Sequence, residues 1–298
     1  MENEGATQVP NERPRPRWAR EKVMPRINSR TLTTAAEDLR ARALGKLPTV
    51  AAVPLMIVYR NVRWAAERRA NVEFLRRPTR HATFSQRLAL VLRTYLISCA
   101  VECAHRQEEV LPVIGKILSL GEEVAGCIVE AGSYKGGSAA KFSVAAALAK
   151  RKLVIFDSFQ GIPQNEEEHQ TSIFGEAVGF GGGFYRGGLA EVRANVARYG
   201  CLDACEFVKG WFEETMPRFA HPVAVAYLDV DLASSTRTCL RYLYPLLSRG
   251  GMLASQDGHL PLVLAVFDDN SFWRDELGEE KPAIEGYGTR KLISIVKQ

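Results

Sequence analysis

The sequence predicts an α/β fold: a mostly parallel sheet with helices on both faces, preceded by an N-terminal helical region. Three observations predict it. Apolar runs at 127–130, 153–157, 205–208, 223–229 and 252–255 are short and nearly continuous, as strands buried on both faces require. Helical stretches at 138–150, 189–199, 234–247 and 260–277 lie between or after those runs, the alternation that makes parallel crossovers. A last run at 291–296 reads as an edge strand closing the sheet. The texture changes at Gly121, which divides the chain into three parts. Residues 1–80 are a basic arm with a helical, apolar segment, 81–120 a helical lead-in, and 121–298 the α/β domain.

Residues 1–24 are polar and proline-rich, without the apolar core of a secretory signal. From 30 to 77 Ala, Leu and Arg dominate in a helical pattern, which prolines are expected to break near 48 and 54. Within it, 47–59 is strongly apolar and flanked by Lys46, Arg60 and Arg63. A bilayer span needs about 20 residues, so this segment is either buried against protein or laid in a membrane interface with its arginines on anionic headgroups. From 85 to 120 Leu88, Val91, Leu92, Tyr95 and Leu96 follow a helical period, and Pro112 is expected to divide the helix.

Net charge is +5, but residues 1–80 carry +9 and the remainder −4. A basic arm suits phosphate, acidic lipid or nucleic acid, or is simply a solvated tail. No RNA-binding or helix-turn-helix signature accompanies it, so specific nucleic-acid recognition is not expected. The six cysteines form no C-x-x-C pair and no cluster with histidine, which argues for reduced thiols, against structural zinc, and for a cytoplasmic protein.

The chemistry concentrates at three strand ends. In the first, Glu130-Ala131-Gly132-x-x-x-Gly136-Gly137-Ser138 departs from the G-x-G-x-x-G pattern that places amides on a pyrophosphate. An acid aimed into that turn repels phosphate and suits a cationic ligand such as S-adenosylmethionine, with its ammonium, sulfonium and ribose hydroxyls. Asp157, ending the next run, is expected to accept from the ribose diol, a charge-assisted bond worth about 1.5–3 kcal/mol. The competing reading is that Glu130 and Asp157 cap helices. In the second, Asp229 and Asp231 share one face of an extended chain and offer a metal ligand and a general base. There the competing reading makes Asp231 a cap for the next helix with Ser234 or Ser235. In the third, Ser255 to His259 (SQDGH), Asp257 is a candidate second metal ligand and His259 a candidate base or substrate partner. His81, His105, His169 and His221 read as structural or exposed.

With these segments placed, the chain resembles the macrocin O-methyltransferase family, class I S-adenosylmethionine-dependent enzymes acting on sugar hydroxyls of natural products. The resemblance runs from about 130 to 257, through EAGSYKGGSA, DSFQGIP (157–163), EVRANVARYG (191–200), FVKGWFEETMP (207–217) and YLDVDLASST followed by YPLLSRGG. It implies a Rossmann-like, seven-stranded, mostly parallel sheet with the last strand antiparallel. It implies cofactor contacts at Glu130, at Gly132, Ser133, Tyr134, Gly136, Gly137 and Ser138 of the first turn, at Asp157 and Ser158, and at Gly210 and Trp211 near the adenine. It also implies magnesium held by Asp229 and by Gln256 and Asp257, with Asp231 as base. Gln256 stands where the family has a second acid, which forfeits up to ~4 kcal/mol of attraction at about 4 Å and an effective dielectric near 20. The expected activity is O-methylation of a small-molecule hydroxyl, on a sugar of a natural product or glycolipid, by a homo-oligomer with possible peripheral membrane contact through the N-terminal region. The rival expectations are a cofactor-binding protein without catalysis and a nicotinamide oxidoreductase.

Overall fold

The structure, a computed structural model, describes residues 49–298. The expectations for the polar stretch 1–24, and for the first part of the helical pattern that starts at 30, lie outside the described residues. Four helices come first: α1 (Thr49–Arg63), α2 (Ala65–Arg76), α3 (Phe84–Ala100) and α4 (Gln107–Ser119). Then follow β1 (Cys127–Ala131), α5 (Gly137–Leu148), β2 (Leu153–Asp157), α6 (Leu189–Tyr199), β3 (Cys205–Lys209) and α7 (Phe212–Thr215). The chain ends through β4 (Val223–Leu228), α8 (Ala233–Leu243), β5 (Leu247–Ser255), α9 (Pro261–Asp268) and β6 (Ile293–Val296).

The strands form one sheet in the order β3-β2-β1-β4-β5-β6. All neighbours are parallel except β6, which runs antiparallel to β5. The order reverses between β1 and β4, and the carboxyl ends there flank the crevice where open α/β sheets bind ligands. Side chains alternate between two apolar cores. Ile128, Ile155, Val225, Tyr227 and Ala254 pack under α1 to α6, while Val129, Phe156, Ala226 and Leu228 pack under α8 and α9.

Four expectations are corrected. The sheet has six strands among the described residues rather than seven. Where a further strand would pair, the chain makes only a single bridge between Glu285 and Ser294. Pro282 lacks an amide donor there, and Gly286 and Gly288 take left-handed backbones. Neither proline breaks its helix: Pro54 and Pro112 each stand sixth in α1 and α4, so each removes one bond next to the first turn. The division of 85–120 falls instead at 101–106. The predicted helix 234–247 stops at Leu243, because Leu247 already pairs with Val223 in β5. The predicted helix 260–277 gives way after Asp268 to a π-helical turn, Phe272–Glu276.

The apolar segment of α1 is split between two environments. Ala52 and Met56 are buried, whereas Leu55, Val58 and Val62 are exposed. Arg60, a headgroup contact in the membrane-interface reading, is buried and paired with Glu67 at 2.8 Å. Among the described residues no helix is long and apolar enough to cross a membrane.

Candidate functional site

The first half of the site is local. Glu130 is fully buried near the end of β1, and neither carboxylate oxygen has a hydrogen-bond partner of good geometry. Burial, only partly offset by Ser138 and His105, pushes its carboxyl up to about 8. The turn that follows is left-handed at Gly132, Tyr134 and Gly136. At Gly132 a Cβ would run into the Asp229 carbonyl oxygen, so β1 and β4 approach here as only glycine allows. Gly137 opens α5 with Ser138 buried behind it, and no side chain caps the helix.

Asp157 sits at the end of β2 and reaches back into that turn. Ser133 donates to its Oδ2 from the amide at 2.7 Å and from Oγ at 2.8 Å, and the Phe159 amide donates to Oδ1 at 2.6 Å. Its carboxylate therefore clamps the turn. Ser158 braces the next turn, donating from Oγ to the Gly161 carbonyl at 3.1 Å. The Gly210 amide donates to the Asp157 carbonyl at 3.0 Å, which brings the Gly210-Trp211 corner beside β2. Tyr134 meets Tyr185 edge-to-face at 5.7 Å.

The second half is assembled from distant parts. Asp229 follows β4, Asp257 follows β5, and Asp231 holds a left-handed backbone at φ 61°. One carboxylate oxygen from each of the three lies within 4.8 Å of the others. Asp257 fixes the turn, accepting from the Val230 and Asp231 amides through Oδ2 at 2.9 and 3.0 Å. Its Oδ1 is buried without a partner. Burial and the neighbouring acid charges push the Asp231 carboxyl well above the ordinary range and Asp257 up to about 7. Asp231 is thus drawn into the carboxylate group expected of the metal ligands. It caps nothing, because Glu167 takes that role. The Glu167 carboxylate accepts from the Ala233 amide (2.7 Å) and the Ser234 amide (2.9 Å) at the start of α8.

Gln256 turns its amide nitrogen to Glu109 Oε2 at 3.0 Å, leaving its own Oε1 buried and unpartnered. His259 is partly exposed, and burial together with Lys291 lowers its imidazole to about 4, so it is neutral at physiological pH. Its carbonyl accepts from the Ile173 amide at 2.9 Å, tying down the loop 158–188. The ammonium of Lys291 lies in the field of Glu109, Asp229, Asp257 and Asp231.

Sequence reasoning missed four of these residues. His105, read as structural, donates from Nε2 to Asp229 Oδ2 at 2.8 Å. Glu109 holds Gln256, Lys291 balances the acids, and Glu167 caps α8. The one signal available is the short polar gap around His105 between two helical patterns. His81 bonds the Leu120 carbonyl at 2.8 Å, and His221 is exposed beside Phe219.

The residues present fit both groups implied by the sequence. Glu130 offers two buried, unpaired carboxylate oxygens above a cradle that a Cβ at Gly132 would fill, which suits a cationic adenosyl ligand. Asp229, Asp231 and Asp257 converge, with Asp257 Oδ1 and Gln256 Oε1 unpartnered, which suits a hard divalent cation.

Known proteins share this chain's pattern. The sequence profile of the macrocin-O-methyltransferase (TylF) family matches residues 101–272. The 8-demethyl-8-(2,3-dimethoxy-alpha-L-rhamnosyl)-tetracenomycin-C 4'-O-methyltransferase of Streptomyces olivaceus is 35% identical over 176 residues, covering 57% of this chain and 66% of that protein. The mycinamicin III 3''-O-methyltransferase of Micromonospora griseorubida is 32% identical over 179 residues, covering 56% of this chain and 67% of that protein. The chain therefore spans about two thirds of the length of these relatives. In fold it is similar to the calicheamicin methyltransferase CalS11, with a TM-score of 0.50 at 19% identity over 89% of this chain and 91% of that one.

Proposed function

The chain belongs to the macrocin-O-methyltransferase family, and from that premise we propose that it moves a methyl group from S-adenosylmethionine to a hydroxyl oxygen, on a sugar of a natural product or glycolipid. The observation that carries this reading is Glu130, a carboxylate buried without a partner at the end of β1. Burial alone drives that carboxyl toward its neutral form, and a cationic or hydrogen-bonding ligand would restore its charge and complete it.

S-adenosylmethionine supplies, when bound, an electrophilic methyl carbon on a positively charged sulfur. Glu130 then meets positive charge, while the left-handed turn and the uncapped start of α5 bring backbone close to the ligand. Asp157 and Ser158 line the ribose side, and Gly210 and Trp211 the adenine side. Asp231, once ionised, is the base: it would take the acceptor's hydroxyl proton as the methyl's bond to sulfur breaks, its bond to that oxygen forms, and the neutral thioether leaves. Such a positioned base is worth about 10²–10⁴ in rate. His259, neutral at physiological pH, is placed to hydrogen-bond the acceptor. Asp229 and Asp257, with Gln256 Oε1, would hold magnesium beside Asp231, which would acidify the hydroxyl and keep the crowded acids ionised. The exposed Ile173, Phe174 and Phe184 of loop 158–188 support an acceptor with an apolar aglycone.

Calorimetric titration with S-adenosylmethionine and its demethylated product is expected to give saturable one-site heat; silence with both removes the reading. Methyl incorporation is then scored on a panel of rhamnosylated tetracenomycins and macrolides, with chelator and with magnesium restored. Binding without transfer to any acceptor would favour the non-catalytic alternative, and displacement by a nicotinamide dinucleotide the oxidoreductase.

Residues 121–298 carry the cofactor and its chemistry in a protein we place in the cytoplasm, with His105 and Glu109 reaching the site from the preceding region. The exposed Leu55, Val58 and Val62 of α1 support a contact made by the N-terminal region, with a second copy or an acidic membrane surface. Sedimentation and liposome flotation of the full chain and of Val58→Asp separate these two.

A further inference from the structure

We infer that His105 is a positioning residue for the acid half of the site, holding the Asp229 carboxylate in the rotamer that brings it to Asp231 and Asp257. The inference rests on the proposed methyl transfer for its purpose, but the contact stands on its own geometry. Asp229 is 26% exposed, enough for an untethered carboxylate to swing toward solvent. His105 Nε2, 2.8 Å from Oδ2, is the hydrogen-bond donor to that carboxylate among the described residues.

The imidazole itself has little freedom. Its ring is 7% exposed and stands edge-on to Tyr227 at 6.1 Å. Its carbonyl accepts from Arg60 Nη2 at 3.4 Å, and Arg60 is locked by its buried pair with Glu67. Behind the ring, Cys103 accepts from the buried Lys141 ammonium at 3.4 Å. The same stretch of chain then supplies Glu109 to Gln256, so residues 101–109 brace the ends of both β4 and β5. A rigid donor on a mobile carboxylate is the arrangement by which outer partners tune a metal site, and losing one costs about 10–100-fold in metal affinity.

The test uses the full chain with Mn²⁺ as probe, free Mn²⁺ being read by electron paramagnetic resonance. His105→Ala is expected to weaken Mn²⁺ binding about 10–100-fold. Its affinity for S-adenosylhomocysteine should fall far less by calorimetry, because His105 reaches the cofactor half only through its charge near Glu130. His105→Gln, whose amide can still donate, should recover most of the loss. Equal Mn²⁺ binding by His105→Ala and wild type would overturn the inference. So would a joint fall of Mn²⁺ affinity, homocysteine-nucleoside affinity and melting temperature, which marks a merely structural residue. A second readout does not depend on metal: a His105 Nε2 proton protected from exchange in the nuclear magnetic resonance spectrum, lost in Asp229→Asn. Its absence in the wild type overturns the proposal even if no Mn²⁺ binds. Failure of the wild type to bind S-adenosylhomocysteine would instead sink the methyl-transfer reading and leave the His105–Asp229 contact to be judged by these two measurements.

Discussion

The cofactor half and the acid half of the crevice are built on opposite principles. The first is written in one continuous stretch, strand, glycine turn and helix, with Asp157 closing it from the next strand 24 residues after Ser133. Its central acid, Glu130, is left unpaired. The second gathers residues 124 and 147 positions apart, His105 with Asp229 and Glu109 with Gln256, and nearly every acid there has a donor or counter-charge. The contrast teaches where each half spends its binding capacity. An empty carboxylate waits for a ligand that carries its own charge, whereas a crowded set of carboxylates must be held apart by the protein itself.

The largest effect that would break this comparison is on turnover. Asp231→Asn should lower kcat by about 10²–10⁴ while calorimetric affinity for S-adenosylhomocysteine is retained. Retained turnover would remove Asp231 from the role of base.

Next comes the unpaired acid. Glu130→Gln should weaken S-adenosylmethionine binding by about 10–100-fold, the loss of one charge-assisted bond. The same change should raise the melting temperature of the ligand-free protein. In the wild type the folded carboxyl titrates near 8 and the unfolded one near about 4.3, so between those values the unfolded chain binds fewer protons and stability falls as pH rises. The advantage of Glu130→Gln should therefore widen from about pH 4.3 to 8; a gap that is flat with pH would mean Glu130 is not buried unpaired.

The smallest effect concerns the loop over the acid half. Hydrogen bonds from His169, Ser234 and Ala233 outweigh burial and hold Glu167 down to about 2. Its stabilisation is present above the unfolded value near about 4.3 and is lost as pH falls through the folded one. Glu167→Ala should cost about 1–2 kcal/mol, as loss of a helix cap does, with the difference from wild type shrinking as pH falls toward 2.5. Denaturant melts at pH 7 and pH 2.5 check both statements.

Much of the first half could be read from the chain alone because its cause is local. Continuous apolar runs, an acid near a strand's end, and glycines where the backbone turns left-handed all lie within a few residues of one another. The edge strand β6 was legible for the same reason. The count of strands was not, since it depends on whether 278–290 can pair, which Pro282 and two glycines prevent only in this context. Pro54 and Pro112 misled because the damage a proline does depends on its distance from the helix start. His105, Glu109, Glu167 and Lys291 are ordinary residue types whose importance comes from partners far along the chain. Gln256 shows the same limit: its identity was plain, but not that Glu109 would take its amide and leave its carbonyl oxygen free.

Loop 158–188 is fastened at two places, by Glu167 to the start of α8 and by Ile173 to the His259 backbone. Backbone and cap bonds of this kind care little about which side chains lie between and beyond them. The exposed Phe174 and Phe184 are therefore free to vary without loosening either anchor, whereas Val178 between them is buried in the core. Selection for a new acceptor can work on that surface alone, and a designer grafting a different tip there would inherit the catalytic geometry intact.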